Sequence, residues 1–177
     1  MFLQLLQKRR SIRRFSEKPV EKEKVDYLVE CMLRSPSSRS LNPWEFIVVD
    51  DKKLLETLSQ AKPHGASFLK NAPLAIVVCA DPDKCDVWVE DCSIASMLVH
   101  LGAADLGLGS CWIQLRLREH ASGDSASKHA AELLGLQEGM EVEAIIAIGY
   151  PDEEKAGHEK ESLLWDRVHL NRYNAPK

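Results

Sequence analysis

The stretch IASMLVHLGAADLGLGSCWI, Ile94 to Ile113, carries the reading of the fold. From Ile94 to Leu106 its apolar and small residues (Ile94, Ala95, Met97, Leu98, Val99, Leu101, Ala103, Ala104, Leu106) cover almost every face of a helix. The pattern extends that helix back to about Val87. A helix that is apolar all round must be surrounded. In a chain of 177 residues a second subunit is expected to supply part of the surround. Gly107 and Gly109 end the helix, as glycines just past a last turn do, and Cys111 to Leu115 reads as a strand.

Outward from this core the chain alternates helical and strand-like segments, which implies a mixed layer fold of helices and sheet. Trp44 to Val49 and Leu74 to Ala80 read as strands, and Val142 to Ile148 gives the last core strand before Gly149-Tyr150-Pro151. Helices are expected over Glu21 to Arg34, with Val25, Leu28, Val29, Met32 and Leu33 as the buried stripe, and over Leu54 to Ser59. At the start, Phe2, Leu5, Leu6 and Arg9 share one helical face, and Pro19 closes the basic region that follows. A polar stretch, Arg116 to Lys128, precedes one more short helix. The tail from Asp152 to Lys177 is polar with isolated Leu163, Leu164, Trp165, Val168 and Tyr173, and is expected to dock onto a partner subunit. No repeat or low-complexity segment interrupts residues 1–177, which read as a single domain.

A chain of this length hides roughly 70% of its unfolded surface. Its 45% hydrophobic and 28% charged content is that of a globular protein. The net charge of -4 argues against general nucleic-acid binding, which needs a basic surface. No apolar run reaches membrane-spanning length, so no membrane association is expected. The five cysteines (Cys31, Cys79, Cys85, Cys92, Cys111) contain no CxxC pair and match no common zinc or iron–sulfur spacing. Reduced thiols in a cytoplasm are the plain reading. The basic, acid-free start MFLQLLQKRRSIRRF also fits a transit peptide, although its charge order is wrong for a secretory signal.

Three segments carry chemistry. KRRSIRRF, Lys8 to Phe15, sets five cations in seven residues of an acidic protein. If it is extended, Arg9, Ser11 and Arg13 point the same way. Two guanidiniums and a hydroxyl on one side form a phosphate clamp, because the planar donors match phosphate oxygens in pairs. The alternative is a solvated basic run. SPSSRSLNPW, Ser35 to Trp44, holds small donors and acceptors between two prolines, suited to a polyhydroxylated chain and a heteroaromatic edge; the alternative is an ordinary surface turn. GLGSCWI, Gly107 to Ile113, has no GxGxxG and no following lysine, so it is not a phosphate loop. Its glycines let backbone approach a flat ligand closely, and its N–H groups suit a ring that gains negative charge on reduction. A helix end followed by a buried strand is the alternative there.

Together, and in this order, the segments resemble the nitroreductase family of flavin enzymes over nearly the whole chain. The family's Arg-x-Ser-x-Arg/Lys opening is matched by Arg9-Arg10-Ser11-Ile12-Arg13. Its PSxxNxQPW loop is matched by Pro36-Ser37-Ser38-Arg39-Ser40-Leu41-Asn42-Pro43-Trp44, and its aPxxIvv strand by Ala72 to Val78. The long helix ending GLGxCWI, the GYP turn and a closing Val168-His169-x-x-Arg172-Tyr173 complete the match. The resemblance implies an α+β fold with a central, mostly antiparallel sheet flanked by helices, an intertwined homodimer, and one FMN in each subunit interface. It places Arg9, Arg10, Ser11 and Arg13 at the phosphate and ribityl end. It brings Pro36, Ser37, Ser38, Arg39, Ser40 and Asn42 from the other subunit, and lays Ser110, Cys111, Trp112 and Ile113 against or beside the ring. His64 is the candidate for the pyrimidine edge. Ser40 and Asn42 stand where the family usually has Asn and Gln, and both reach less far. The family's tail pair Lys/Arg-x-Arg is replaced by His158-Glu159-Lys160-Glu161, leaving Lys160 and His158 as the phosphate candidates.

The implied activity is hydride transfer from NADH or NADPH to a small oxidised acceptor, nitroaromatic or quinone-like in vitro, in ping-pong fashion. The flavin supplies the reactivity and the protein supplies placement, so no essential acid, base or nucleophile is expected. A hydrolase built on Cys111 or a serine with one of the six histidines is the rival among enzymes, but no GxSxG elbow is present and a lone Cys ending a glycine turn reads as packing. A non-catalytic flavin-binding sensor or carrier is the rival outside them, since its binding residues would look the same.

Overall fold

A computed structural model of the chain describes residues 2–173. Its sheet has four strands in the order β1 (Trp44–Val49), β2 (Leu74–Ala80), β4 (Glu141–Gly149), β3 (Gly109–Gln114), with every pairing antiparallel. Side chains alternate across a strand, and β2 shows the consequence on both faces. Ala75, Val77 and Cys79 pack with α3 (Lys52–Leu58), α5 (Ala126–Leu134), Ile113 and Ile145. Leu74, Ile76, Val78 and Ala80 pack with α2 (Lys22–Leu33), α4 (Trp88–Asp105), Ile146 and Ile148. This is the expected central antiparallel sheet flanked by helices.

Local signals place the helix ends. Asp51 caps α3 by accepting the Leu54 N–H at 2.8 Å. Ser125 caps α5, which starts within the stretch read from sequence as polar lead-in, and Gly135 ends it in the left-handed conformation. α2 and α4 cross closely at Gly102, where a Cβ would lie 3.0 Å from the Cys31 sulfur. α4 is buried along most of its length, yet Ile94 and Met97 remain 43% and 48% exposed. α1 (Phe2–Lys8) buries no residue at all, and Phe2, Leu3 and Leu6 are exposed. So are Leu163, Leu164, Trp165, Val168 and Tyr173 in the tail.

One feature of the sheet has no counterpart in the hydrophobic pattern. The β2–β4 register shifts between Val78, opposite Ala144, and Cys79, opposite Val142, so Glu143 is an extra bulged residue. Its carbonyl accepts from the amides of Leu115 and Arg116 at 2.9 and 3.0 Å, which steers the chain as it leaves β3. Its carboxyl is 1% exposed, takes the Ser93 hydroxyl at 2.6 Å, and leaves Oε2 without a partner among the described residues. Burial pushes this carboxyl up to about 7 against the pull of Ser93 and Arg116.

A raised carboxyl costs the fold nothing below the unfolded value of 4.5 and an increasing amount up to the folded value of about 7. The full penalty above that window is about 3 kcal/mol. Glu143→Gln is therefore expected to raise the unfolding free energy at pH 8 and to change it little at pH 4.5. Chemical denaturation at the two pH values measures this, and an equal effect at both would contradict the assignment.

Candidate functional site

The basic segment leaves α1 and becomes extended where it meets the outer edge of β3. Ser11 pairs in parallel with Ser110, and the Ile12 amide donates to the Ser110 carbonyl at 3.0 Å. Ile12 and Phe15 turn into the core, while Ser11 is half-buried and both Arg13 and Arg14 between them are exposed. Gly109 makes the approach possible, because a Cβ there would lie 2.8 Å from the Ile12 Cβ and Cγ2.

The chain after β4 clamps the same segment from its other side. Phe15 bridges Pro151, the Ser16 amide donates to the Tyr150 carbonyl and the Asp152 amide to the Arg14 carbonyl, both at 2.9 Å. Glu153 Oε1 accepts from the Arg13 and Arg14 amides at 2.6 and 3.2 Å and pairs with Lys155 at 3.0 Å. The Arg13 amide and Lys155 together hold the Glu153 carboxyl down at about 2. Lys155 also donates to the Ser11 carbonyl at 2.8 Å, and the Arg10 guanidinium donates to the Ala156 carbonyl.

β3 splits its residues between two faces. Ser110 and Trp112 face α4: Ser110 Oγ lies 2.7 Å from His100 Nδ1, and the Trp112 ring stacks beside that imidazole. Burial, helped by the nearby Arg9, pulls His100 down to about 4, so this ring is neutral near pH 7. Cys111 faces the other way, toward Ser11, Arg13 and Lys155. Burial pushes its thiol up, and those three neighbours pull it only part of the way back. A buried, protonated thiol is a poor nucleophile, which removes the support for a Cys111 hydrolase. Ile113 is fully buried, so only its backbone can meet a ligand.

The Pro36–Asn42 loop lies elsewhere on α4. The Ser38 amide donates to Asp91 at 2.9 Å, Arg39 pairs with Asp86, and Lys84 donates to the Asn42 carbonyl at 3.0 Å. Ser37 and Asn42 bond each other at 2.6 Å. Arg39, Ser40 and Asn42 all have positive φ, 54°, 52° and 46°. Such backbone is costly for these residues and is held by the surrounding bonds. Asp91 and His100 are about two and a half helical turns apart, roughly 14 Å along the axis. Within one chain, then, this loop and the Ser11–Ser110 junction do not form one pocket.

Against this geometry stand the comparisons with known proteins. The profile of the nitroreductase family matches residues 6–62 and 60–150. This chain belongs to the nitroreductase family. A solved structure described as an FMN-dependent nitroreductase from Clostridium difficile R20291 is 49% identical, covers 97% of this chain and 99% of its own, and superposes with a TM-score of 0.95. An Archaeoglobus fulgidus protein provisionally named NADH dehydrogenase/NAD(P)H nitroreductase is 36% identical over 97% of this chain and 98% of its own length. The FMN reductase [NAD(P)H] of Bacillus subtilis is 28% identical over 72% of this chain and 48% of its own.

The family's sequence pattern did not single out every residue around the Ser11–Ser110 junction. Lys155, which holds Ser11, precedes the candidates His158 and Lys160. Those two line an exposed cleft of about 600 Å³ together with Gln7, Lys8 and Lys155. His64 is exposed on a turn. Lys62, on the same turn, is half-buried beside Cys111, and burial together with Arg118 lowers its ammonium. The sequence signal that could have found Lys62 is its neighbour Ala61, a core residue that must bring the turn against the sheet.

The junction at Gly109 yields a direct test. Gly109→Ala must push Ile12 and β3 apart, at a cost of roughly 1–3 kcal/mol of overpacking. The urea midpoint should fall accordingly, and an unchanged midpoint would contradict the close contact.

Proposed function

We propose that this nitroreductase-family chain is an FMN enzyme that passes hydride from NADH or NADPH to a small oxidised acceptor, working as a homodimer in the cytoplasm. The observation that carries the reading is the junction of Ser11 with Ser110, where Arg9, Arg13, Lys155 and Lys62 gather around Ser11 and Cys111. That donor set fits FMN: guanidiniums and a hydroxyl for a phosphate, and fixed positive charge for a ring that becomes more negative on reduction. The 49% identity to a protein described as FMN-dependent supports the same cofactor.

When bound, FMN supplies the hydride-accepting and hydride-donating chemistry. The chain's own residues bind and orient. In this reading Arg9, Arg10, Ser11 and Arg13 hold the phosphate and ribityl end, with Lys155 beside them and His158 and Lys160 further along the tail. Cys111 and the backbone of Ile113 lie beside the ring, while Ser110 and Trp112 fix β3 to α4 through His100. Lys62 joins His64 at the pyrimidine edge. Pro36, Ser37, Ser38, Arg39, Ser40 and Asn42 reach the ring from a second copy, which explains why they stand apart within one chain. The exposed Ile94, Met97, α1 and tail residues supply an apolar surface for that copy, and β1 offers an unpaired outer edge. No helix among the described residues is long and apolar enough to cross a membrane.

Arg13 tests the phosphate assignment. Arg13→Ala removes a charge-assisted contact of roughly 1.5–3 kcal/mol, so FMN affinity should fall about ten- to a hundred-fold. Riboflavin, which lacks the phosphate, should bind as before. The Arg14 side chain is already bonded to the Asp152 carbonyl, so Arg14→Ala should spare both ligands. The flavin-loaded species should show about twice the 19.9 kDa chain mass in light scattering. Equal loss of FMN and riboflavin, or a monomer that retains flavin, would overturn this reading.

A further inference from the structure

Glu143 has no task in the oxidoreductase reading, yet its setting is costly. The carboxyl is 1% exposed, takes a bond from the Ser93 hydroxyl at 2.6 Å, and leaves Oε2 without a partner among the described residues. Arg116 is near enough to be felt but forms no ion pair with it; its guanidinium lies over the Trp88 ring at 5.6 Å. From α4, Glu90 adds a like charge and Cys92 a buried thiol. An unpaired carboxylate is strongly disfavoured in such a place, whereas the neutral acid is tolerated. Glutamine has nearly the same shape and no charge to desolvate, so stability alone does not account for a glutamate here. Buried ionisable groups that break the rules of stability point to functional positions.

The carboxyl also stands behind the strand that carries the proposed ring contacts. The Glu143 carbonyl takes the Leu115 and Arg116 amides at the end of β3. β3 is an outer strand of the sheet, and beyond the Ser11–Ser110 bridge its free edge is unpaired among the described residues. Neighbouring strands lie about 4.8 Å apart, so a ring against that edge, beside Cys111 and Ile113, stands on the order of 10 Å from Glu143. A unit charge at that range moves a titration by about one pH unit at the effective dielectric of a protein. Burial pushes this carboxyl up to about 7, so such a displacement changes its protonation near neutrality. Ser93, half-buried, gives the proton a way to solvent.

We propose that Glu143 balances charge for the flavin site, taking one proton from solvent when hydride arrives and returning it when hydride leaves. Hydride brings two electrons and a proton, and so adds one negative charge to the site as the nicotinamide departs a cation. Glu143 passes from carboxylate to carboxylic acid and cancels that charge. When the acceptor takes the hydride, Glu143 ionises again, and the acceptor's second proton comes from solvent. The inference rests on the FMN reading above and adds a residue to it. Glu143 touches neither the flavin nor the acceptor.

The test reduces the flavin-loaded protein electrochemically, without nicotinamide. Infrared difference spectra follow the carboxyl, and a pH-indicator dye follows proton uptake. At pH 7.5 reduction should add a protonated-carboxyl band and take up about half a proton per flavin more than in Glu143→Gln. At pH 5 that difference should vanish, because the carboxyl is protonated in both states. Glu143→Gln removes a buried charge, so it should fold and bind FMN. Ser93→Ala removes the bond that favours the ionised form, so its carboxyl should be protonated before reduction and the extra uptake lost. An unchanged carboxyl band on reduction, equal uptake in the parent and Glu143→Gln, or full uptake in Ser93→Ala overturns the proposal and leaves the FMN reading intact. A protein that takes up no FMN overturns both.

Discussion

Ile12 gives its amide to the Ser110 carbonyl at 3.0 Å and lodges its side chain against the bare Cα of Gly109. That short parallel junction fixes the basic segment along the outer edge of the sheet. The burial of the segment follows from it: Ile12 and Phe15 are buried, and Ser11 and Arg13 are left beside Cys111. A buried apolar pair thus determines where the cations stand. The loop after β4 completes the arrangement, with Glu153 on two amides of the segment and Lys155 on the Ser11 carbonyl.

Charge placement explains why an acidic protein can present a cationic site. Glu153 takes its bonds from backbone amides and from Lys155, so it neutralises little of the positive charge on the Arg13 side chain. Arg13 instead extends over the Phe68 ring at 5.9 Å. Lys62, half-buried beside Cys111, adds a further cation.

Much of the fold was legible because hydrophobic runs and breakers coincide with element ends. β1 and β2 span the same residues read from the pattern, and α4 differs by about one residue at each end. β3 begins earlier than its apolar run, because Gly109 and Ser110 pair with β4 for reasons of backbone contact that hydrophobicity does not record. The bulge at Glu143 was illegible for a similar reason: a charged residue inside a strand pattern does not announce that it is buried. In the candidate site, Arg9, Ser11 and Arg13 stood out as a dense basic motif in an acidic chain. Lys155 and Lys62 did not, since each is an isolated lysine whose role comes from tertiary packing. The division of Ser110 and Trp112 from Cys111 and Ile113 follows from the two-residue period of a strand, and becomes visible only once the strand's start is known.

The central claim is that the Ser11–Ser110 junction supports a flavin that turns over with a nicotinamide. Anaerobic titration of the purified, flavin-loaded protein tests it most directly. The account predicts that NADH or NADPH bleaches the flavin absorbance at one equivalent per bound flavin and that a nitroaromatic or quinone then restores it. A protein that binds flavin but is bleached by neither nicotinamide would contradict the claim and leave a flavin-binding sensor or carrier in its place.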